Sequence, residues 1–195
     1  RELASNHDLD GKAVIHTSGL HTAQSLAPCA ARGAAVASWH PLQAFQPLWS
    51  AGPTTWKGVP CAVEGDPTAT DLGIVMARRL EMRPWQILPE HKALYHASAA
   101  VAGNLTHILI VCARQLLATC GLPPDLGRDA LSALVRSSVD GALGATAFEA
   151  LTGAIARKDR ATVERHLTAL PVELSQTYSI LASVAGLTDA SRCLD

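Results

Sequence analysis

In "HKALYHASAAVAGNL" (91–105), Lys92 and His96 stand four residues apart in a run that is mostly Ala, Val and Leu. At about 100° per residue on a helix the two fall within roughly 40° of each other. An amine and an imidazole on one apolar stripe suit proton transfer to a substrate oxygen or nitrogen. Ala99, Gly103 and His107 continue the stripe, and the small residues leave room for a ligand. Asn104 lies to one side, about 120° from Lys92 on a regular helix. Lysine is scarce here, with only Lys12, Lys57, Lys92 and Lys158.

Other chemically capable residues cluster at the ends of β-rich runs: His16, Thr17, Ser18 and Gly19; then Ser38 and His40; then Glu64. Each also has an ordinary reading. A first-turn lysine is commonly solvated, a histidine on an apolar helix is commonly a bonded core residue, and Glu64 could pair with an arginine. No H-E-x-x-H or similar ligand spacing occurs, so no metal is expected.

The elements that must position these residues follow from pattern. Strands are expected at 12–19, 34–41, 59–65 and 83–89. A helix over 22–33 should bend at Pro28 and stop at Gly33. A second, over 66–80, should start from Asp66 as N-cap and Pro67. The segment 42–58, "LQAFQPLWSAGPTTWKG", reads as a long binding loop or lid. From Glu90 onward only helical signals remain, at 90–120, 128–142, 146–156, 160–169 and 172–186. Strands alternating with helices predict a mostly parallel α/β sheet in 1–89, followed by an all-α region, 90–195. Ligands of such sheets bind beyond the strand carboxyl ends. That rule places His16, Ser18, His40 and Glu64 near the start of the Lys92 helix.

Composition narrows the partners. The chain has 195 residues, is 48% apolar and carries a formal charge of −1. Nothing in it draws nucleic acid or an anionic membrane. The five cysteines form no C-x-x-C pair and suit a reducing cytosol. The apolar stretch from Ala97 to Leu117 is interrupted by Asn104, His107, Arg114 and Gln115 and is expected to fall short of a membrane span. The N-terminus, "RELASNHDLDGK", is polar and does not read as a signal peptide.

The strings "HTSG", "SWHPLQAF", "AVEGD", "HKALYHASAAVAGN" and "LTGAIARKD" together resemble a bacterial family of Rossmann-like proteins assigned as oxidoreductases, with an uncharacterised helical C-terminal domain. The wider group includes prephenate, phosphogluconate and ketopantoate dehydrogenases. The resemblance implies hydride transfer between NAD or NADP and a small-molecule substrate, and a homodimer formed through the helical domain. It places Ser18 and His40 where prephenate dehydrogenases carry an active-site Ser and a His-Pro histidine. Lys92 resembles the helix lysine of hydroxyacid dehydrogenases and ketopantoate reductases, with Asn104 matching their helix Asn. On this reading Lys92, His40, His96 and Asn104 are catalytic. His16, Thr17, Ser18 and Gly19 bind the cofactor, and Ser38 and Glu64 the substrate.

The G-x-G-x-x-G turn of such proteins is absent. The chain therefore reads as the second half of a Rossmann domain plus its helical partner, a piece of a longer protein. A non-catalytic dinucleotide-binding or scaffold protein is the alternative. A metal enzyme using His16, His40 and His96 is a third.

Overall fold

The structure is a computed structural model that describes residues 8–45, 56–144 and 149–187. Four strands form one sheet in the order β1-β2-β3-β4: β1 (Ala13–His16), β2 (Ala35–Pro41), β3 (Pro60–Gly65) and β4 (Arg83–Gln86). All four match the expected positions. The β1–β2 and β3–β4 pairs are parallel, but β2 and β3 run antiparallel. The strand carboxyl ends therefore do not share one edge, as the sequence reading supposed. Those of β3 and β4 lie at the edge opposite that of β2.

Between β1 and β2 a 3₁₀ turn (Ala23–Leu26) leads into a one-turn helix, α1 (Ala27–Ala30), with Pro28 in its first turn. Pro28 thus splits the expected helix, and Gly33 ends the connection at φ +85°. Helix α2 (Pro67–Arg79) begins as expected after Asp66. Asp66 makes no side-chain cap; its carboxylate accepts the Val36 N–H instead, at 2.8 Å.

The period-2 alternation of the strands sorts the sheet's two faces. Trp39, Cys61 and Val63 join Ala77 and Met82 in one core cluster on the face that α2 covers. The intervening residues Val36, Ser38, His40 and Glu64 face the other side. There Val36 packs with Leu9, Ala23 and Cys29, and the polar residues form the site described below. The Trp39 indole N–H donates to Gly73 O at 2.9 Å, tying α2 to the sheet centre.

After β4 a 3₁₀ turn (Pro89–His91) opens a long helix: α3 (Lys92–Ala100), a π-turn (Val101–Leu105) and α4 (Thr106–Thr119). The remaining helices are α5 (Pro124–Leu143), α6 (Gly153–Ala156), α7 (Arg160–Ala169) and α8 (Val172–Leu187). Part of the expected 146–156 helix, 145–148, lies outside the described residues, as does 46–55 of the Trp-rich loop. The chain divides into two compact units, residues 1–111 and 112–195. Among the described residues one helix, Pro89–Thr119, is long and apolar enough to cross a membrane by length and composition. Cys29, Cys61, Cys112 and Cys120 are free thiols.

Candidate active site

The site lies on the sheet face opposite α2, under the first turns of α3. Ser38 and Glu64 are paired neighbours on β2 and β3, and His40 stands two residues along β2 on the same face. Residues i, i+3 and i+4 of a helix share one side, so Lys92, Tyr95 and His96 descend together onto these strand residues. Ala62, fully buried opposite His40, leaves room for the aromatic rings.

Lys92 is 1% exposed. Its ammonium donates to Ser18 O at 3.0 Å and to Ser38 Oγ, and Ser38 Oγ donates in turn to Ser18 O at 3.3 Å. The lysine thus ties the turn after β1 to the middle of β2. It does not arrive by the route the sequence suggested, since β4 ends at the edge opposite His40. It also is not the solvated residue that a first helical turn implies. Burial lowers its pKa from the usual 10.5, while the negative charge of Glu64, and of Cys61 were it ionised, pulls the other way. His96 is not among these causes. Its influence falls on His40.

The loop after β1 is held by its own side chains. His16 accepts the Ser18 N–H at Nδ1 (3.1 Å), so its Nε2–H donates to Thr22 O (3.0 Å). Both ring nitrogens are thereby engaged in bracing the turn that carries Ser18 and Gly19, and the ring has no donor left to offer a cofactor. Ser18 Oγ accepts the His21 N–H and meets His21 Nδ1 at 3.0 Å. Thr17 is exposed.

Gly19 is buried at the centre of the arrangement. A Cβ there would lie 2.5 Å from His96 Nδ1 and 2.8 Å from His40 Nε2. The two imidazoles converge on that point, their rings edge to face with centroids 6.0 Å apart. His96 Nδ1 is buried without a hydrogen-bond partner. His40 Nδ1 meets Tyr95 OH at 2.7 Å. Burial lowers the His40 pKa, and the charges of Lys92 and His96 lower it further. Burial also pushes the Tyr95 phenol and the Cys61 thiol each up to about 12.

Glu64 is 5% exposed and accepts the Ala23 N–H at 2.8 Å. It also lines a cleft of about 550 Å³ shared with Thr22, Gln24, Asp66, Gln86 and Leu88. Among the described residues no group of three or more His, Cys, Asp or Glu could hold a metal ion. His16 is turned to its own loop, away from the His40–His96 pair.

The structure therefore brings together Lys92, His40, His96, Ser18, Gly19, Ser38 and Glu64. Asn104 is not part of this cluster. It sits in the π-turn, exposed, on the order of 17 Å along the helix axis from Lys92. Its angular position differs from that of a regular helix. A π-turn takes up roughly one extra residue over its length, so Asn104, near its end, returns toward the phase of Lys92 rather than standing about 120° away. Tyr95 was missed by sequence reasoning, although its spacing of three from Lys92 within K-x-x-Y-H was the available signal.

Residues 59–184 match the model of a domain of unknown function, DUF2520. The chain belongs to that family. Among solved structures it resembles a Bacteroides fragilis protein assigned as an NADP oxidoreductase, at TM-score 0.74 and 19% identity. That match covers 89% of this chain and 64% of the other, so the chain spans less than two thirds of that relative's length. A Thermotoga maritima protein matches at TM-score 0.71 and 20% identity, over 94% of this chain and 71% of its own. The pyrroline carboxylate reductase of Plasmodium falciparum, with NADP bound, matches at TM-score 0.56 and 10% identity, covering 89% and 67%. These likenesses establish a Rossmann-like fold with a helical C-terminal portion. A search of curated protein sequences finds no match.

Proposed function

We propose that this chain carries the substrate end of the active site of an NADP- or NAD-dependent oxidoreductase acting on a small molecule. The observation that carries the reading is the buried Lys92, fastened to Ser18 and Ser38 beside two imidazoles that converge on Gly19. A lysine kept dry against its own desolvation cost is commonly a functional group rather than a structural one. The fold shared with NADP-linked structures supports the same reading.

The residues present fit one end of such a cofactor. His96 Nδ1 is a buried polar atom without a hydrogen-bond partner, next to Gly19 and His40 Nε2. Ser18 and Gly19 would hold the nicotinamide end, which when bound supplies or accepts the hydride. The sequence has no G-x-G-x-x-G turn for the pyrophosphate, so this chain by itself should bind dinucleotides weakly. His40 presents Nε2 toward Gly19 and meets the substrate oxygen or nitrogen. Lys92 stabilises negative charge as it develops there and fixes Ser18 and Ser38. With two of its three N–H groups engaged and its side chain dry, Lys92 is less suited than His40 to proton exchange with substrate. Glu64 balances the Lys92 charge from the cleft side.

The test is oxidation of NADPH or NADH, supplied far in excess to offset weak binding, by the purified protein with a panel of small carbonyl and imine compounds. His40→Gln and Lys92→Met should each lower turnover by about 10²-fold or more. Turnover at the wild-type rate in both variants would refute these roles.

A homodimer in the cytosol belongs to the same proposal. Leu94, Val101, Leu105 and Ile108 form an exposed apolar stripe on the long helix, the kind of surface that another helix covers. Buried free Cys29 and Cys61 suit a reducing compartment. Sedimentation at micromolar concentration should show the dimer, and a monomer throughout would count against it.

A further inference from the structure

We propose that Tyr95 is a positioning residue that holds neutral His40 in the tautomer with its proton on Nε2. The inference rests on reading His40 as the group that meets substrate, but its test does not. The Tyr95 hydroxyl has one proton and two acceptors in reach, His40 Nδ1 at 2.7 Å and His40 O at 3.4 Å. Nδ1 is the better-placed acceptor and takes the phenol proton. In the reverse arrangement Nδ1–H would donate to the phenol oxygen, leaving the phenol only the carbonyl at 3.4 Å.

The phenol has little freedom to turn away. The Tyr95 ring is packed edge to face against His40, with centroids 5.5 Å apart, and against Trp85 at 5.6 Å. Burial keeps the phenol protonated and the imidazole neutral across the neutral pH range, with Tyr95 raised to about 12 and His40 lowered.

Nδ1 is then a filled acceptor and Nε2 carries the N–H. That N–H points toward Gly19, where His96 Nδ1 also converges without a partner. The resting site thus offers a donor to whatever reaches the His40–His96 pair. An acceptor atom, the oxygen of a carbonyl or the nitrogen of an imine, is the matching substrate group. This deepens the oxidoreductase reading to a substrate class bound in the direction of reduction. A neutral imidazole polarising such a group acts as an electrophile.

The test is long-range ¹H–¹⁵N correlation spectroscopy of the histidine rings, recorded above the ordinary imidazole pKa of 6.5. The His40 signals are assigned by their loss in His40→Gln. In the wild type, His40 should show a protonated Nε2 and an unprotonated Nδ1. Tyr95→Phe should raise the Nδ1–H population several-fold and move the His40 titration midpoint upward, because the bond favouring the neutral ring is gone. A wild-type His40 protonated on Nδ1 would overturn the inference, as would a Tyr95→Phe variant with unchanged tautomer and midpoint. Should Tyr95→Phe not fold, the wild-type tautomer decides alone. The expected tautomer in a protein that turns over no carbonyl or imine would uphold the role of Tyr95 and overturn the oxidoreductase reading.

Discussion

Replacing Gly19 with alanine probes the convergence of the two imidazoles directly. The backbone at Gly19 is not in the left-handed region, so alanine brings no strain of its own. The whole cost comes from the new methyl, which would lie 2.5 Å from His96 Nδ1 and 2.8 Å from His40 Nε2. Both are ring atoms, and the His40 ring is not free to swing. His40 is held by Tyr95, and His96 sits on the same helix as Lys92, which is pinned to Ser18 and Ser38. Overpacking of this kind costs about 1–3 kcal/mol. For a chain of this size that is a fall in melting temperature of roughly 2–12 °C. The assay is thermal unfolding followed by circular dichroism, with the His40 and His96 ring resonances recorded on the same samples. Gly103→Ala is the control, because a Cβ there meets nothing within 4 Å and alanine is the better helix former by up to about 1 kcal/mol. A Gly19→Ala protein that melts with the wild type, its histidine resonances unmoved, would refute the packing of both rings on Gly19.

Stability should vary with pH in two windows. The folded His40 pKa lies below 6.5, so as pH falls below 6.5 the unfolded chain binds the proton first and stability is lost through the folded pKa. Lys92 is likewise lowered from 10.5. Its burial penalty is present in full below the folded pKa and is relieved as pH climbs from there to 10.5. Urea midpoints across pH should show both limbs, the acidic one flattened in His40→Gln and the alkaline one in Lys92→Met. Gly65→Ala should fail to fold or lose more than about 3 kcal/mol, because φ is +134° and a Cβ would stand 2.3 Å from Val36 O; expression and circular dichroism suffice to see it. Trp39→Phe removes the buried bond to Gly73 O and should cost about 1–3 kcal/mol in denaturant titration.

Much of this protein is legible in local pattern. The four strands, the break at Pro28, the turn at Gly33 and the start of α2 at Asp66 all follow from alternation and from residues with restricted backbones. Such signals act over a few residues, and a sequence displays them directly. The Lys92–His96 stripe is equally local, since helical phase alone brings the two to one side. What the sequence does not contain is strand direction. The antiparallel step between β2 and β3 depends on which edges pair across the unpatterned stretch between them. It reversed the edge at which β4 ends and so changed how Lys92 reaches Ser38. Burial of Lys92 likewise depends on Ser18 O and Ser38 Oγ, groups 74 and 54 residues away. The partnership of Tyr95 with His40 spans 55 residues and needs the sheet and helix docked before it exists. The π-turn, which returns Asn104 toward the phase of Lys92, is a property of backbone hydrogen bonding that side-chain spacing does not show. Residue types announce the chemistry available, while tertiary packing sets which nitrogen carries a proton and which charge is kept dry.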